Sequence, residues 1–134
     1  MYRNYFKLLF ILLPLYLVSC KKESTSVSTA IIGTWELRTV YSGWVPNKNY
    51  PPGNGNYMKF TGSTFEIDTN HVFFSSGSYS IVKEKFSLTG KMGNRIIYND
   101  EEYGNRTFVD VAQDSLNLSE DANDGGGSLY IQIQ

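Results

Sequence analysis

The chain reads as an all-β domain: a small antiparallel up-and-down barrel of about eight strands, or a closed sandwich, after a helical signal peptide. Three observations predict it. From Ile31 onward, short segments alternate apolar and polar residues with a period of two, bounded by turn-forming Gly, Asn, Asp, Pro and Ser. No segment there carries a convincing helical period. Strands this rich in Phe, Tyr and Ile would expose adhesive edges unless the sheet closed on itself.

The first nineteen residues have the three parts of a signal peptide. Arg3 and Lys7 make a positive start, Leu8–Val18 is an apolar run of eleven, and Ser19 is small. A spanning helix needs about 20 apolar residues, so this run is too short to span alone, and Pro14 interrupts it. Leu17-Val18-Ser19-Cys20 resembles the bacterial lipobox, after which the new amino-terminal cysteine is diacylglyceryl-modified and N-acylated. Cys20 is the chain's only cysteine. A lone exposed thiol in a secreted domain would be reactive, whereas a lipidated one is an anchor. One acyl chain binds a bilayer only marginally, at about 0.8 kcal/mol per buried methylene, and several chains hold firmly. Lys21 in place of an Asp after the cysteine favours the outer membrane, on its periplasmic or cell-surface face. Residues 20–30 then read as lipidated N-terminus and polar tether, and residues 31–134 as the barrel.

Removing residues 1–19 from 134 leaves 115, one domain able to bury roughly two-thirds of its unfolded surface. It keeps 10 of the 12 Lys+Arg against 13 Asp+Glu. A mildly acidic chain without a basic cluster is not expected to bind nucleic acid. With one cysteine, no intrachain disulfide staples the domain.

The strands follow in order. Thr34–Tyr41 places Trp35, Leu37, Thr39 and Tyr41 on one face. Tyr57–Thr61 aims Met58 and Phe60 one way, and Thr64–Asp68 does the same with Phe65 and Ile67; Gly62-Ser63 makes the tight turn between them. Val72–Ser75 and Gly77–Lys83 are two strands or one bent strand. Lys85–Thr89 alternates Phe86 and Leu88. Arg95–Tyr98, Arg106–Val111, Ser115–Ser119 and Ser128–Ile133 complete the set. The longest irregular stretch, Ser42–Asn56 with Pro46, Pro51 and Pro52, is expected to sit over one barrel mouth.

The opening Ile32-Gly33-Thr34-Trp35 resembles the Gly-x-Trp signature of the lipocalin family. Over roughly Ile31–Ile133 the chain is similar to the short lipocalin-like domains of Bacteroides-group lipoproteins, through Met58-Lys59-Phe60, Gly77-Ser78-Tyr79, Leu116-Asn117-Leu118 and Leu129-Tyr130-Ile131. The resemblance implies an eight-stranded barrel with a cavity at one end. It also implies a basic residue of the last strand packed on the signature Trp at the closed end. Here that strand carries Gln132 and Gln134 instead, leaving Arg95 or Arg106 as substitutes.

No catalytic constellation stands out, so the chain is not expected to be an enzyme, to hold a metal or to need a cofactor. His71 is the only histidine, too little for a metal site alone. Asp100-Glu101-Glu102 reads as a solvated hairpin tip, and Asp121–Gly126 as a turn. Aromatics are the one functional feature: seven Tyr, six Phe and two Trp follow Cys20. Inward tyrosines would line a cavity with both apolar area and hydrogen-bonding points. The first expectation is therefore a membrane-anchored protein holding a small apolar or amphipathic ligand, lined or floored by Trp35, Tyr41, Phe60, Phe73, Tyr79 and Tyr98. The alternative is a solid barrel whose 42–56 loop, through exposed Trp44 and Tyr50, contacts an envelope protein or glycan.

Overall fold

The computed structural model describes residues 26–134; the expected signal peptide and lipidation site, Cys20, lie outside the described residues. A single turn of helix, α1 (Val27–Ala30), leads into nine strands: β1 (Gly33–Tyr41), β2 (Lys48–Asn49), β3 (Tyr57–Phe60), β4 (Thr64–Thr69), β5 (Val72–Lys85), β6 (Met92–Tyr98), β7 (Thr107–Ala112), β8 (Ser115–Glu120) and β9 (Gly127–Ile133). Each of β1 and β3–β9 pairs antiparallel with the next, and β9 returns to β1, closing an eight-stranded barrel. The two residues of β2 add a flap to the far half of β1, Thr39 opposite Asn49 and Val40 opposite Lys48.

Alternation sets the interior. Trp35, Met58, Phe60, Phe65, Tyr79, Ile96, Val109, Leu116 and Leu118 converge in one core, with Ile67, Ile81, Tyr98, Val111 and Tyr130 packed against it. The Gly62-Ser63 turn forms as the sequence predicts, with Thr61 and Thr64 bonded across it (Thr61 N to Thr64 O, 2.9 Å).

Three local features refine the sequence reading. First, of the two forms open to Val72–Lys83 the chain takes the single strand: β5 runs for fourteen residues, its first half paired with β4 and its second with β6. Second, Lys85–Thr89 is not a strand. Phe86 begins a loop that folds back on the outer wall, where its ring stacks on Phe108 at 3.7 Å, and a Cβ on Gly93 would collide with both rings. Third, β1 carries a bulge between Leu37 and Thr39, paired with consecutive Tyr130 and Leu129. The extra residue, Arg38, shifts all later side chains to the opposite face.

The two ends of the barrel differ. At one end α1 forms a lid. Val27 packs on the core, Ile31 is fully buried, and the Ile31 carbonyl accepts the indole N–H of Trp35 at 2.7 Å. So the last part of the expected tether is ordered against the barrel. Gln132, opposite Trp35, lies against Gly33. Neither Arg95 nor Arg106 meets the indole. Both project from the outer wall, where Glu84 bridges them (3.0 and 2.6 Å) and Asp121 holds Arg106 at 2.5 Å. The other end, carrying the loops after β1, β6 and β8, is open.

Candidate functional site

Just inside the open end lies a cavity of about 440 Å³, walled by the ends of β1, β6, β7, β8 and β9. Leu118, Val40 and the rings of Tyr98 and Tyr130 give it apolar surface; Thr107, Ser119 and Ser128 add hydroxyls. Strand register places these groups. Leu116 and Leu118 of β8 face inward and bring their partners on β9, Tyr130 and Ser128, with them. Ile96 faces inward with its partner Thr107, and Tyr98 follows two residues later. Below the cavity the barrel is solid: Trp35 and Phe60 are buried within it, and Tyr79 packs edge-on against Phe60.

The floor is set by phenols. Tyr98 leans edge-on against Phe65 with ring centres 4.8 Å apart. Its hydroxyl is sealed from solvent and, among the described residues, has no hydrogen-bond partner, whereas the neighbouring Tyr79 hydroxyl donates to the Thr61 carbonyl at 2.7 Å. Burial pushes the ionisation of Tyr98 far above that of a free phenol, and the nearby Tyr130 and Tyr79 hydroxyls push the same way. Burial also raises Tyr130. All three phenols are therefore neutral at physiological pH, able to donate one hydrogen bond each. An unpartnered buried hydroxyl costs about 1–3 kcal/mol, so Tyr98 is a local cost to the fold.

The residues singled out from sequence are distributed unevenly. Tyr98 lines the cavity. Tyr41 borders its rim from outside: the bulge turns it outward, its ring crosses Gly127, and its hydroxyl bonds Asn117 Oδ1. Trp35, Phe60 and Tyr79 belong to the solid core beneath. Phe73 lies away from the interior, 60% exposed near the β4–β5 turn, beside Val72 and Phe74. Trp44 is 77% exposed. Tyr50 is half-buried, its N–H bonded to the Arg38 carbonyl and the Lys48 ammonium 4.9 Å from its ring centre. Ser42 touches the cavity rim, but the end of the 42–56 loop turns down the outer wall of β1. There the Asn54 N–H bonds Glu36 Oε1 at 2.9 Å and its side-chain amide bonds the Leu37 carbonyl at 2.8 Å.

Tyr130 was missed as a lining residue. The alternation in Ser128–Ile133 marks Leu129, Ile131 and Ile133 as the apolar face, yet register turns Ser128, Tyr130 and Gln132 inward. A phenol flanked by polar neighbours on its own face was the available signal.

His71 sits in the β4–β5 turn with φ of 63°, following Asn70 at 52°, and its ring meets Tyr57 edge-on. Among the described residues, no three His, Cys, Asp or Glu side chains converge as a metal site would require. Asp121 is committed to the Ser87 N–H and to Arg106. Compared with protein-family models, curated proteins and solved structures, the chain matches none.

Proposed function

We propose that this protein is a lipid-anchored cell-envelope lipoprotein whose barrel holds a small apolar or amphipathic molecule in the open-end cavity. The observation that carries the reading is the cavity itself: about 440 Å³ of largely apolar space, within the range of small-molecule sites, with Tyr98 and Tyr130 in its lining. The Gly33-Thr34-Trp35 opening supports it, because the barrel it resembles carries a cavity at one end. The lipobox-like Leu17–Cys20 supports the anchor and, with Lys21, the outer membrane.

Mass spectrometry of material copurifying with the full-length protein tests the reading. A low-molecular-weight apolar compound should be retained by the wild type and lost when Ser128→Phe fills the cavity. Equal recovery from both would refute it.

A second reading is supported by the exposure of Trp44 (77%) and Val45 (63%) in the loop bordering the same end. Exposed aromatics of this kind serve as anchors in protein and glycan interfaces. Trp44→Ala should then abolish capture of an envelope partner while leaving cavity occupancy intact; unchanged capture would dismiss this reading.

A further inference from the structure

We propose that the barrel rests with β5 along its own bilayer and is held there at both ends of that strand. One hold is the lipid expected on Cys20, beside the closed end. The other is the β4–β5 hairpin, whose Phe73 and Phe74 rings insert among the lipids. This rests on the anchor reading above and assigns a lipid-contacting site to a hairpin that takes no part in the cavity.

The composition of β5 suits a lipid surface. Residues 72–82 contain no Asp, Glu, Lys or Arg. At the hairpin end Val72, Phe73 and Phe74 form a consecutive apolar triplet, exposed by 66%, 60% and 71%. The bulge in the hairpin sets Phe73 opposite Asp68, away from the interior. Here β5 runs past the end of β6. Their ladder stops at Tyr79 and Tyr98, and Asn99 closes it by taking both backbone groups of Ser78 (3.0 and 2.9 Å). The triplet therefore stands on a projecting hairpin. Ser76, Ser78 and Ser80 follow it on the exposed face, and such small side chains let the strand approach a surface closely. A narrow tip offers little to a protein partner, since a stable interface buries roughly 1,200–2,000 Å² in all. A bilayer requires no matching surface, only apolar side chains that reach its headgroup–acyl boundary.

The chain enters the barrel beside the other end of the same strand. Ser26, Val27 and Ser28 share a groove with Ile81, Val82 and Lys83 of β5 and Asn94 of β6. Residues 21–25 separate Ser26 from Cys20, and fully extended they reach about 20 Å. From Val82 to Phe73 the strand spans about 30 Å. An upright barrel would hold the triplet about that far from the membrane, whereas a barrel resting on β5 brings both ends of the strand to it. Charge agrees with this pose. Lys83, Lys85 and Lys91 are exposed near the anchored end, and among the described residues none of them is in an ion pair. With Lys21 and Lys22 of the tether, they suit the phosphates of lipid headgroups. Glu84, the one carboxylate of β5, is held by Arg95 and Arg106. Glu66 and Asp68 of β4 flank the tip, so the rings enter only to the headgroup–acyl boundary, about 5–10 Å deep, and both carboxylates stay at headgroup level.

The test uses the full-length protein as the cell processes it, reconstituted in vesicles of phosphatidylcholine and phosphatidylglycerol. Cys20 is the only cysteine, and acylation blocks its thiol, so one new cysteine takes a thiol-reactive nitrobenzoxadiazole dye alone. Phe73→Cys and Trp44→Cys both replace exposed residues of the open end; spin labels on the lipid acyl chains quench whichever dye enters the bilayer. The dye in Phe73→Cys should be strongly quenched and the dye in Trp44→Cys should not. Adding Val72→Ser and Phe74→Ser to Phe73→Cys should abolish the quenching. No quenching in either protein would overturn the inference and leave the anchor reading standing. So would equal quenching in both, or quenching in Phe73→Cys that survives the two serine substitutions. Dye uptake by the unsubstituted protein would show a free Cys20 thiol, refuting the anchor reading and the inference with it.

Discussion

The two ends of this barrel bury the same kind of group and treat it in opposite ways. At the closed end the largest side chain, Trp35, is fully buried and its one donor is taken by the Ile31 carbonyl. At the open end Tyr98 is buried just as effectively at its hydroxyl, and among the described residues no group accepts its proton. Packing is complete around the first and stops short around the second. One barrel thus combines a finished hydrophobic core, where stability resides, with a mouth where packing stops short. Such local shortfalls in a well-satisfied fold are the places at which function is expected.

Substitutions can break this contrast at either end. The largest effect belongs to Trp35→Ala, which empties the solid half and removes the donor that ties α1 to the barrel. It should cost about 3–5 kcal/mol, read as a lowered midpoint in denaturant titration; a loss under about 1 kcal/mol would mean the closed end is not the stabilising one. Next is Gly127→Ala at the mouth. A Cβ there would stand 2.5 Å from the Leu118 carbonyl oxygen and 2.6 Å from the Tyr41 ring, and overpacking of this kind costs about 1–3 kcal/mol. Tyr98→Phe runs the other way. Removing an unsatisfied hydroxyl should raise stability by about 1 kcal/mol, and a destabilised Tyr98→Phe would show that the hydroxyl is already partnered.

The smallest effect sharpens the comparison from outside the barrel. Glu36 is buried on the outer wall under the 42–56 loop. Burial alone would raise its pKa, but the Arg38 guanidinium at 2.5 Å and the backbone N–H groups of Gly53 and Asn54 hold it below the ordinary 4.5. A carboxyl depressed on folding stabilises above its unfolded pKa, and that contribution is lost as pH falls through the folded value. Glu36→Gln should therefore lower stability near neutrality by under about 1 kcal/mol and flatten the acid loss from about pH 5 to about pH 3. Thermal melts across that window decide it: an unchanged slope would place the acid sensitivity elsewhere, with Glu84 and Asp121 next, since the arginines and the Ser87 amide also hold them low.

The closed barrel was legible because most strands obey simple alternation: Met58 and Phe60, Phe65 and Ile67, Leu116 and Leu118 all turn inward together. The site was only partly legible. Tyr98 could be named from its strand, but Tyr130 could not, because in β9 the more apolar residues face out. Phe86 and Leu88 mimic a strand, yet Phe86 answers to a ring on the outer wall. Phe73 looks like core and stands in solvent. For Tyr130 and Phe86 the deciding partner lies far along the chain; for Phe73 it is the bulge in its own hairpin, which sets it opposite Asp68. A period of two says which residues share a face without saying which face is inside.

The extra residue in β1 shows how narrowly the cavity's chemistry is specified. Arg38 acts as a single inserted letter does in a reading frame: everything after it is presented to the other side. Deleting it would restore the phase, turning Tyr41 toward the cavity and Val40 toward solvent, and would exchange an apolar wall residue for a phenol without substituting either. In this barrel, recognition is open to change by the number of residues in a strand as well as by their kind.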